Sequence, residues 1–180
     1  MRRKVCAIYG LGGIGKTQLA VEFARTNHTK FSSICWLDGS SQTSLVQSFA
    51  EMAQRLPQKD LMADGVETLE HSLIHAEAMV QKCLQWLSLS SNQHWLLIFD
   101  NVDRGHDKAS DAQAYKVEDY FPTADHGSIL ITTRLASMRH LGSSFEVGVV
   151  GDEQARAILE NAANKQIAGK AIQITDFGQS

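Results

Sequence analysis

A glycine-rich segment near the amino terminus constrains the fold of this chain more than any other feature. Residues 10–17 read Gly-Leu-Gly-Gly-Ile-Gly-Lys-Thr and satisfy the pattern G-x-x-x-x-G-K-[ST]. The apolar run Val5–Tyr9 predicts a buried strand before this segment, and a helical pattern follows it to about Asn27. A glycine-rich turn between a strand and a helix is the context in which this pattern forms a phosphate-binding loop. The alternative, a glycine-rich turn with a chance lysine, does not account for the complete pattern.

The residue types in this loop suit a polyphosphate ligand. Glycines permit backbone angles and a close approach that side chains would block. The main-chain amides and the N-terminus of the following helix direct partial positive charge at phosphate oxygens. We expect the Lys16 ammonium to reach the β- and γ-phosphates of a nucleotide and the Thr17 hydroxyl to bind Mg²⁺. The segment is therefore predicted to be a Walker A phosphate site.

The rest of the chain alternates short apolar runs with helical patterns, which is typical of a parallel sheet built from βαβ units. Further strands are predicted at Ile34–Leu37, Trp95–Phe99, Ser128–Thr133 and Phe145–Val150. The predicted helices carry the apolar stripes Leu19, Ala20, Phe23 and Ala24; Leu45, Phe49, Met52 and Leu56; and Leu69, Leu73, Ala76, Val80, Leu84 and Leu87; a short helix is predicted at Leu135–Leu141. We expect an α/β fold, a three-layer α/β/α P-loop NTPase core with a mostly parallel five-stranded sheet.

The predicted core occupies residues 1–150. Asp152 can cap a further helix. Residues 151–180 are therefore expected to begin a following helical segment and to continue into a tail without an assigned element. We expect the chain to be either an isolated nucleotide-binding core or a truncated part of a longer protein.

The apolar run Trp95–Phe99 ends at Asp100. An apolar strand that ends in Asp is typical of a Walker B strand, whose carboxylate holds Mg²⁺ directly or through water. Many buried strands also end in Asp, so the pattern is informative because a phosphate loop precedes it. We predict that Thr17 and Asp100 bind the same Mg²⁺.

Two more charged residues follow predicted strands. Asp103 could polarise an attacking water as a general base, or it could simply turn the loop towards Arg104. Both interpretations stay open. Arg134 ends the run Ile129–Thr133, and the carboxyl edge of a parallel sheet is where ligands of α/β folds bind. Arg134 could therefore contact the γ-phosphate, although an exposed arginine at a strand end is the alternative.

Composition excludes several classes of protein. Lys and Arg total 17 against 20 Asp and Glu, so the formal charge is −3 and the basic excess of a dedicated nucleic-acid binder is missing. The longest apolar runs are far shorter than a bilayer-spanning helix, and no secretory signal pattern precedes the glycine-rich loop. Cys6, Cys35 and Cys83 lie among apolar residues and are expected to be reduced core residues of a cytoplasmic protein.

The sequence favours adenine over guanine as the base. Asn101 is followed by Val-Asp, and Asp107-Lys108 by Ala-Ser, so neither position forms a [DN]-K-x-[DN] guanine-specificity element. Leu11 also excludes the deviant K-G-G-x-G-K-T loop of partitioning ATPases. The expected ligand is therefore ADP or ATP.

Four segments together resemble the NB-ARC domain, which belongs to the STAND class of signalling NTPases. In order, they are similar to its nucleotide loop, second strand, Walker B strand and sensor strand: Ile8–Ala20, Ile34–Asp38, Leu96–Asp103 and Gly127–Arg134. Asp152–Ala155 resembles the opening of its next helical segment. The resemblance implies that Arg134 senses the γ-phosphate. It also implies that the nucleotide is bound by Gly10, Leu11, Gly12, Gly13, Ile14, Gly15, Lys16, Thr17 and Gln18.

The resemblance implies a nucleotide-dependent switch in immune-type receptors or cell-death regulators that often carry TPR or other repeats. Such a switch is closed when bound to ADP, and it oligomerises or contacts protein partners when bound to ATP and Mg²⁺. Many members have a second Asp where this chain has Asn101, and Asp103 is more like the related NACHT arrangement. Slow or absent ATP hydrolysis is therefore expected.

Two alternatives stay open. An active P-loop ATPase or a small-molecule phosphotransferase is one, because the interval between Lys16 and Asp100 leaves room for an acceptor-binding segment. A degenerate scaffold that acts only through protein contacts is the other. The rate of phosphate release separates the first from a switch, and the effect of Lys16→Ala on partner binding separates the second.

Overall fold

The computed structural model describes residues 2–57, 73–104, 114–148 and 151. Contacts within the chain group Met1–Gly148 into one compact unit and Val149–Ser180 into another, and every element described below belongs to the first. The boundary after residue 150 stays a prediction. Among the described residues, no helix combines the length and the apolar character needed to span a bilayer.

Five parallel strands form one sheet. They are β1 (Lys4–Gly10), β2 (Ser33–Asp38), β3 (Trp95–Asp100), β4 (Ser128–Thr133) and β5 (Ser143–Val147), in the order β2-β3-β4-β1-β5. The chain leaves β1 towards β2 and leaves β4 towards β5, so the direction of winding reverses between β1 and β4. Ligands of open parallel sheets bind beyond the carboxyl ends of the strands at such a point. The predicted α/β fold with a five-stranded sheet is confirmed, and every pairing in the sheet is parallel.

Helices cover both faces of the sheet. α2 (Gln42–Ala53) and α3 (Leu73–Leu87) pack together on one face, and α1 (Lys16–Asn27) packs on the other. Within β3, Leu97 and Phe99 belong to the first core cluster, whereas Leu96 and Ile98 belong to the second. Successive strand residues point to opposite faces, which explains why the run Trp95–Phe99 is buried throughout. The result is the predicted three-layer arrangement.

The predicted inner face of α1 is partly wrong. Ala20 is fully buried, but Leu19 and Phe23 are 43% and 44% exposed. The helix approaches the sheet through its small residues, Ala20 and the half-buried Ala24, and this close approach leaves the larger side chains at the margin of the contact. For α2 the predicted face is confirmed, because Leu45, Phe49 and Met52 are buried.

Two predicted boundaries also change. The last strand was expected at Phe145–Val150, but β5 begins at Ser143 and ends at Val147. Its partner explains the end point, because β1 ends at Gly10, which pairs with Val147. The helix expected at Leu135–Leu141 is a 3₁₀ helix at Ala136–Leu141. Most of the interval between α2 and α3, residue Leu69, residues 105–113 and the helix expected after Asp152 lie outside the described residues.

The cysteines behave as core thiols. Cys83 is fully buried, Cys6 and Cys35 are half-buried, and all three are free. Burial raises the pKa of Cys35 to about 11 and that of Cys83 to about 12. The pKa of Cys6 is also raised by burial. These thiols are therefore protonated and poorly nucleophilic at neutral pH, as the sequence predicted for reduced core residues.

Candidate functional site

The glycine-rich segment joins β1 directly to α1. Gly15 is the N-cap residue of α1 and has a φ of 97°, a left-handed conformation that L side chains rarely adopt. No side chain caps this helix end. The first amides of α1 therefore remain available to an external acceptor, which is the property of a helix N-terminus that binds anions.

The side chain of Lys16 folds across the loop that precedes it. Its ammonium donates to the carbonyl oxygens of Gly10 and Leu11, at 3.0 and 2.7 Å, and the residue is only 9% exposed. No carboxylate of the described residues forms an ion pair with it. The ammonium is held by carbonyl dipoles alone, so its full charge remains available to an anionic ligand.

Thr17 and Asp100 come together from the start of α1 and the end of β3. The Thr17 hydroxyl donates to Asp100 Oδ1 at 2.9 Å. Thr132, at the end of β4, also donates to Asp100 Oδ1 and accepts a hydrogen bond from the Asn101 amide at 2.9 Å. Thr132 is only 1% exposed, and its hydroxyl therefore fixes the carboxylate of Asp100, which the sequence predicts to bind Mg²⁺.

The chain after β3 runs along the end of β4 and is hydrogen-bonded to it at every residue. Asn101 has a φ of 64° and turns the chain. The Val102 amide donates to the Thr132 carbonyl at 2.9 Å, and the Thr133 hydroxyl donates to the Val102 carbonyl. The last link joins Asp103 to Arg134. These bonds fix the backbone of residues 101–103 beside the phosphate loop.

Asp103 and Arg134 form an ion pair with two different contacts. Asp103 Oδ1 accepts from the Arg134 main-chain amide at 2.6 Å, and Asp103 Oδ2 accepts from the guanidinium Nε at 2.8 Å. The Arg134 side chain is 62% exposed and that of Asp103 is 21% exposed. The sequence did not predict this pair: each residue was given a possible role towards the nucleotide and a structural alternative that did not involve the other.

A cleft of about 300 Å³ opens above these groups. Its lining combines the loop and the start of α1 with residues from the ends of β3 and β4: Gly12, Gly13, Gly15, Lys16, Thr17, Gln18, Asn101, Thr132 and Arg134. The structure therefore brings most of the predicted binding residues to one cavity. Leu11, which is 70% exposed, and Asp103, which is paired with Arg134, are not on this lining.

The donor set fits Mg²⁺ bound together with phosphate. Thr17 and Asp100 offer hard oxygen ligands whose atoms lie within hydrogen-bond distance of each other. Among the described residues, no three acidic, histidine or cysteine side chains cluster to form a metal site of their own. A Mg²⁺ at this position would thus take few protein ligands, and this ion commonly completes its octahedron with water and substrate phosphates.

The local sequence pattern did not indicate the hydrogen bonds of Thr132 or the backbone conformation of Asn101. A hydroxyl doublet at the end of a buried strand, Thr132–Thr133, is the signal that could have found the first, since both side chains are buried and must be hydrogen-bonded. In the sequence, Asn101 stood out only because many NB-ARC members have a second Asp at this position. Its left-handed backbone, a conformation that Asn tolerates better than most residues, gives it a structural role as well.

Comparison with known proteins bears on the same region. A family model described as "NB-ARC domain" matches residues 1–169. A protein of Hyaloscypha variabilis named "Nucleotide-binding leucine-rich repeat (NLR)-like protein" is 28% identical over 152 residues, which cover 79% of this chain. The chain spans only 14% of the length of that relative.

Proposed function

The chain belongs to the NB-ARC family, and we propose that it is the ADP- and ATP-binding switch domain of a longer NLR-type signalling protein, with slow or absent ATP hydrolysis. The observation that carries this proposal is that Lys16 and Thr17 line one cleft and that the Thr17 hydroxyl donates to Asp100 at 2.9 Å. The name of the Hyaloscypha variabilis relative, an NLR-like protein, supports the NLR-type assignment. The activity and the partners of such a whole protein belong to the proposal.

We propose that the nucleotide binds with its phosphates over the loop at Gly10–Gln18. The main-chain amides and the N-terminus of α1 would hold the phosphate oxygens, and Lys16 would exchange its two carbonyl contacts for the β- and γ-phosphates. Thr17 and Asp100 would hold Mg²⁺, which neutralises phosphate charge when bound. Adenine is the proposed base because the sequence has no guanine-specificity element.

Slow hydrolysis is supported by how the acidic groups beside the cleft are used. Asn101 cannot accept a proton as a carboxylate can, and both oxygens of Asp103 already accept hydrogen bonds from Arg134. A general base must lie within hydrogen-bond reach of the water that it activates. Asp103 is anchored through Oδ1 to the Arg134 main-chain amide and is not on the cleft lining, so it does not meet this requirement.

Calorimetric titration of the chain with ADP and with ATP, each in Mg²⁺ and in EDTA, tests the proposal. We expect both nucleotides to bind, and ATP binding to weaken when Mg²⁺ is removed. Phosphate release under saturating ATP should stay well below about one turnover per second. Failure of a folded chain to bind either nucleotide would contradict the proposal, and faster steady turnover would favour the ATPase alternative.

We further propose that the ATP-bound protein associates with further copies or with protein partners, in the cytoplasm and without nucleic acid. The family and its NLR-type relative support this proposal. Light scattering of the chain with ADP or with ATP tests self-association. A larger mass with ATP alone is the expected result, and equal masses would leave partner binding to segments outside this chain.

A further inference from the structure

The two carboxylate oxygens of Asp103 accept hydrogen bonds from different parts of Arg134. Oδ1 accepts from a main-chain amide and so anchors the side chain to the end of β4, whatever the Arg134 side chain does. Oδ2 holds the guanidinium through Nε. The Oδ1 contact is one of the hydrogen bonds that join residues 101–103 to the end of β4. The Oδ2 contact involves only the Arg134 side chain, which is 62% exposed. Only the second contact can be exchanged without disturbing the backbone.

The guanidinium lies directly beside the phosphate loop. A Cβ built on Gly12 would lie 3.2 Å from Arg134 Cζ, and Arg134 lines the cleft together with Lys16 and Thr17. The side chain is mostly exposed on its other sides. Arg134 is therefore tethered by one carboxylate oxygen at the place where a terminal phosphate over the loop would compete for it.

We propose that Asp103 is a positioning residue, the counter-ion that competes with the γ-phosphate of ATP for the guanidinium of Arg134. This inference rests on the proposed function, since it requires an adenine nucleotide over the loop. ADP lacks the competing phosphate and leaves the Asp103–Arg134 pair in place. ATP draws the guanidinium away, while Asp103 stays anchored through Oδ1. Asp103 therefore lowers the preference of the site for ATP over ADP.

The energy of the pair suits such a competition. An ion pair between partly exposed side chains contributes little, because water and salt screen it. A phosphate with the loop beneath it is the stronger partner for the same guanidinium, since charge-assisted hydrogen bonds to phosphate are short and multiple. The pair can thus hold Arg134 in the ADP state without preventing its transfer in the ATP state.

The variant Asp103→Asn isolates the exchangeable contact. An amide oxygen can still accept from the Arg134 main-chain amide, but the amide nitrogen cannot accept from Nε. Isothermal titration should show ATP binding about two- to fivefold tighter than in the wild type, with ADP binding unchanged. Asp119→Asn removes an exposed charge from a 3₁₀ helix and is the matched control, which should move neither affinity.

A double-variant cycle separates competition from simple repulsion between Asp103 and the phosphate. Competition predicts that Asp103→Asn no longer tightens ATP binding once Arg134→Gln is present. An equal gain with and without Arg134 means repulsion and overturns the inference. If Asp103→Asn slows phosphate release and leaves both affinities unchanged, the residue is a base and the inference is also wrong.

Two further measurements keep the outcomes distinct. Asp103→Ser removes the same carboxylate with a shorter polar side chain, so it replaces the Asn variant if that protein melts early, with the same expected result. A wild-type chain that binds neither nucleotide removes the proposed function itself. A wild type that binds both, with an ATP-to-ADP affinity ratio unmoved by either substitution, removes only the role given to Asp103.

Discussion

The phosphate loop and the edge formed by the ends of β3 and β4 meet at one cleft but are built differently. The loop is a continuous segment that presents main-chain amides and a single cation, Lys16. The edge joins residues 100–103 to residues 132–134, which are far apart in sequence, and side-chain hydroxyls and carboxylates link them. A continuous motif specifies its own function, whereas the chemistry of an assembled edge depends on which side chains become partners.

The largest expected effect comes from the loop. Lys16→Ala removes the only side-chain cation that the loop contributes, and a charge that faces phosphate in a largely buried position is costly to lose. We expect nucleotide affinity to fall by at least about 100-fold, with ATP affected more than ADP because the ammonium serves the γ-phosphate as well. Calorimetry with both nucleotides measures the loss.

Lys116→Ala is the control for Lys16→Ala. Lys116 is exposed and lies just before a 3₁₀ helix, away from the cleft lining, so its removal changes the net charge by the same amount without touching the site. Affinity should be unchanged in this variant. If the two lysine variants bind nucleotide equally well, the loop is not the phosphate site and the contrast with the edge disappears.

The sequence predicted the structure of the loop well because that structure is local. Spacing within eight residues indicated the strand, the turn, the helix start and the lysine, and the structure has all four. The position of Asp100 at the end of β3 was also predictable, because an apolar run buried on both faces must end where the sheet ends. Its contact with Thr17 at 2.9 Å follows from both lying at the carboxyl edge.

The edge was predicted less well because partners are a tertiary property. Asp103 and Arg134 were each given a possible role towards the nucleotide beside a structural alternative, and nothing in either local pattern indicated that they pair. Thr132 was one of several polar residues at a strand end until the structure placed its hydroxyl on Asp100. The face of α1 was likewise decided by how closely Ala20 lets the helix approach the sheet.

A second pair of variants tests whether Gly15 of the loop is needed for folding or for nucleotide binding. Gly15 and Gly127 both have positive φ, at 97° and 82°. A Cβ at Gly15 meets nothing within 4 Å, whereas one at Gly127 would run into the indole of Trp95, which is fully buried and hydrogen-bonded to the Leu87 carbonyl. The first position has room for a side chain and the second has none.

Gly127→Ala should therefore lower the free energy of unfolding by about 3 kcal/mol, from backbone strain and overpacking together. Gly15→Ala carries the strain alone and should lose about 1 kcal/mol, but it should weaken ADP binding because its Cβ stands where the phosphate approaches. Denaturant unfolding and calorimetry measure the two quantities. Equal losses of stability with unchanged ADP affinity would mean that the loop glycine serves folding only.

A last pair of variants tests the edge through two neighbouring hydroxyls. Thr132→Val leaves the Asn101 amide without its acceptor, and Thr133→Val does the same to the Leu135 amide, so each should lower the free energy of unfolding by about 1–3 kcal/mol.

The two threonine variants should differ in binding. Of these two threonines, only Thr132 donates to Asp100 Oδ1. Thr132→Val therefore lets the Asp100 carboxylate turn away from Thr17. We expect it to weaken Mg²⁺-dependent ATP binding by up to about tenfold, measured as the difference between titrations in Mg²⁺ and in EDTA, and Thr133→Val to leave that difference unchanged. An equal loss of Mg²⁺ dependence in both variants would mean that the edge acts through its backbone, and Thr132 would then have no specific role in orienting Asp100.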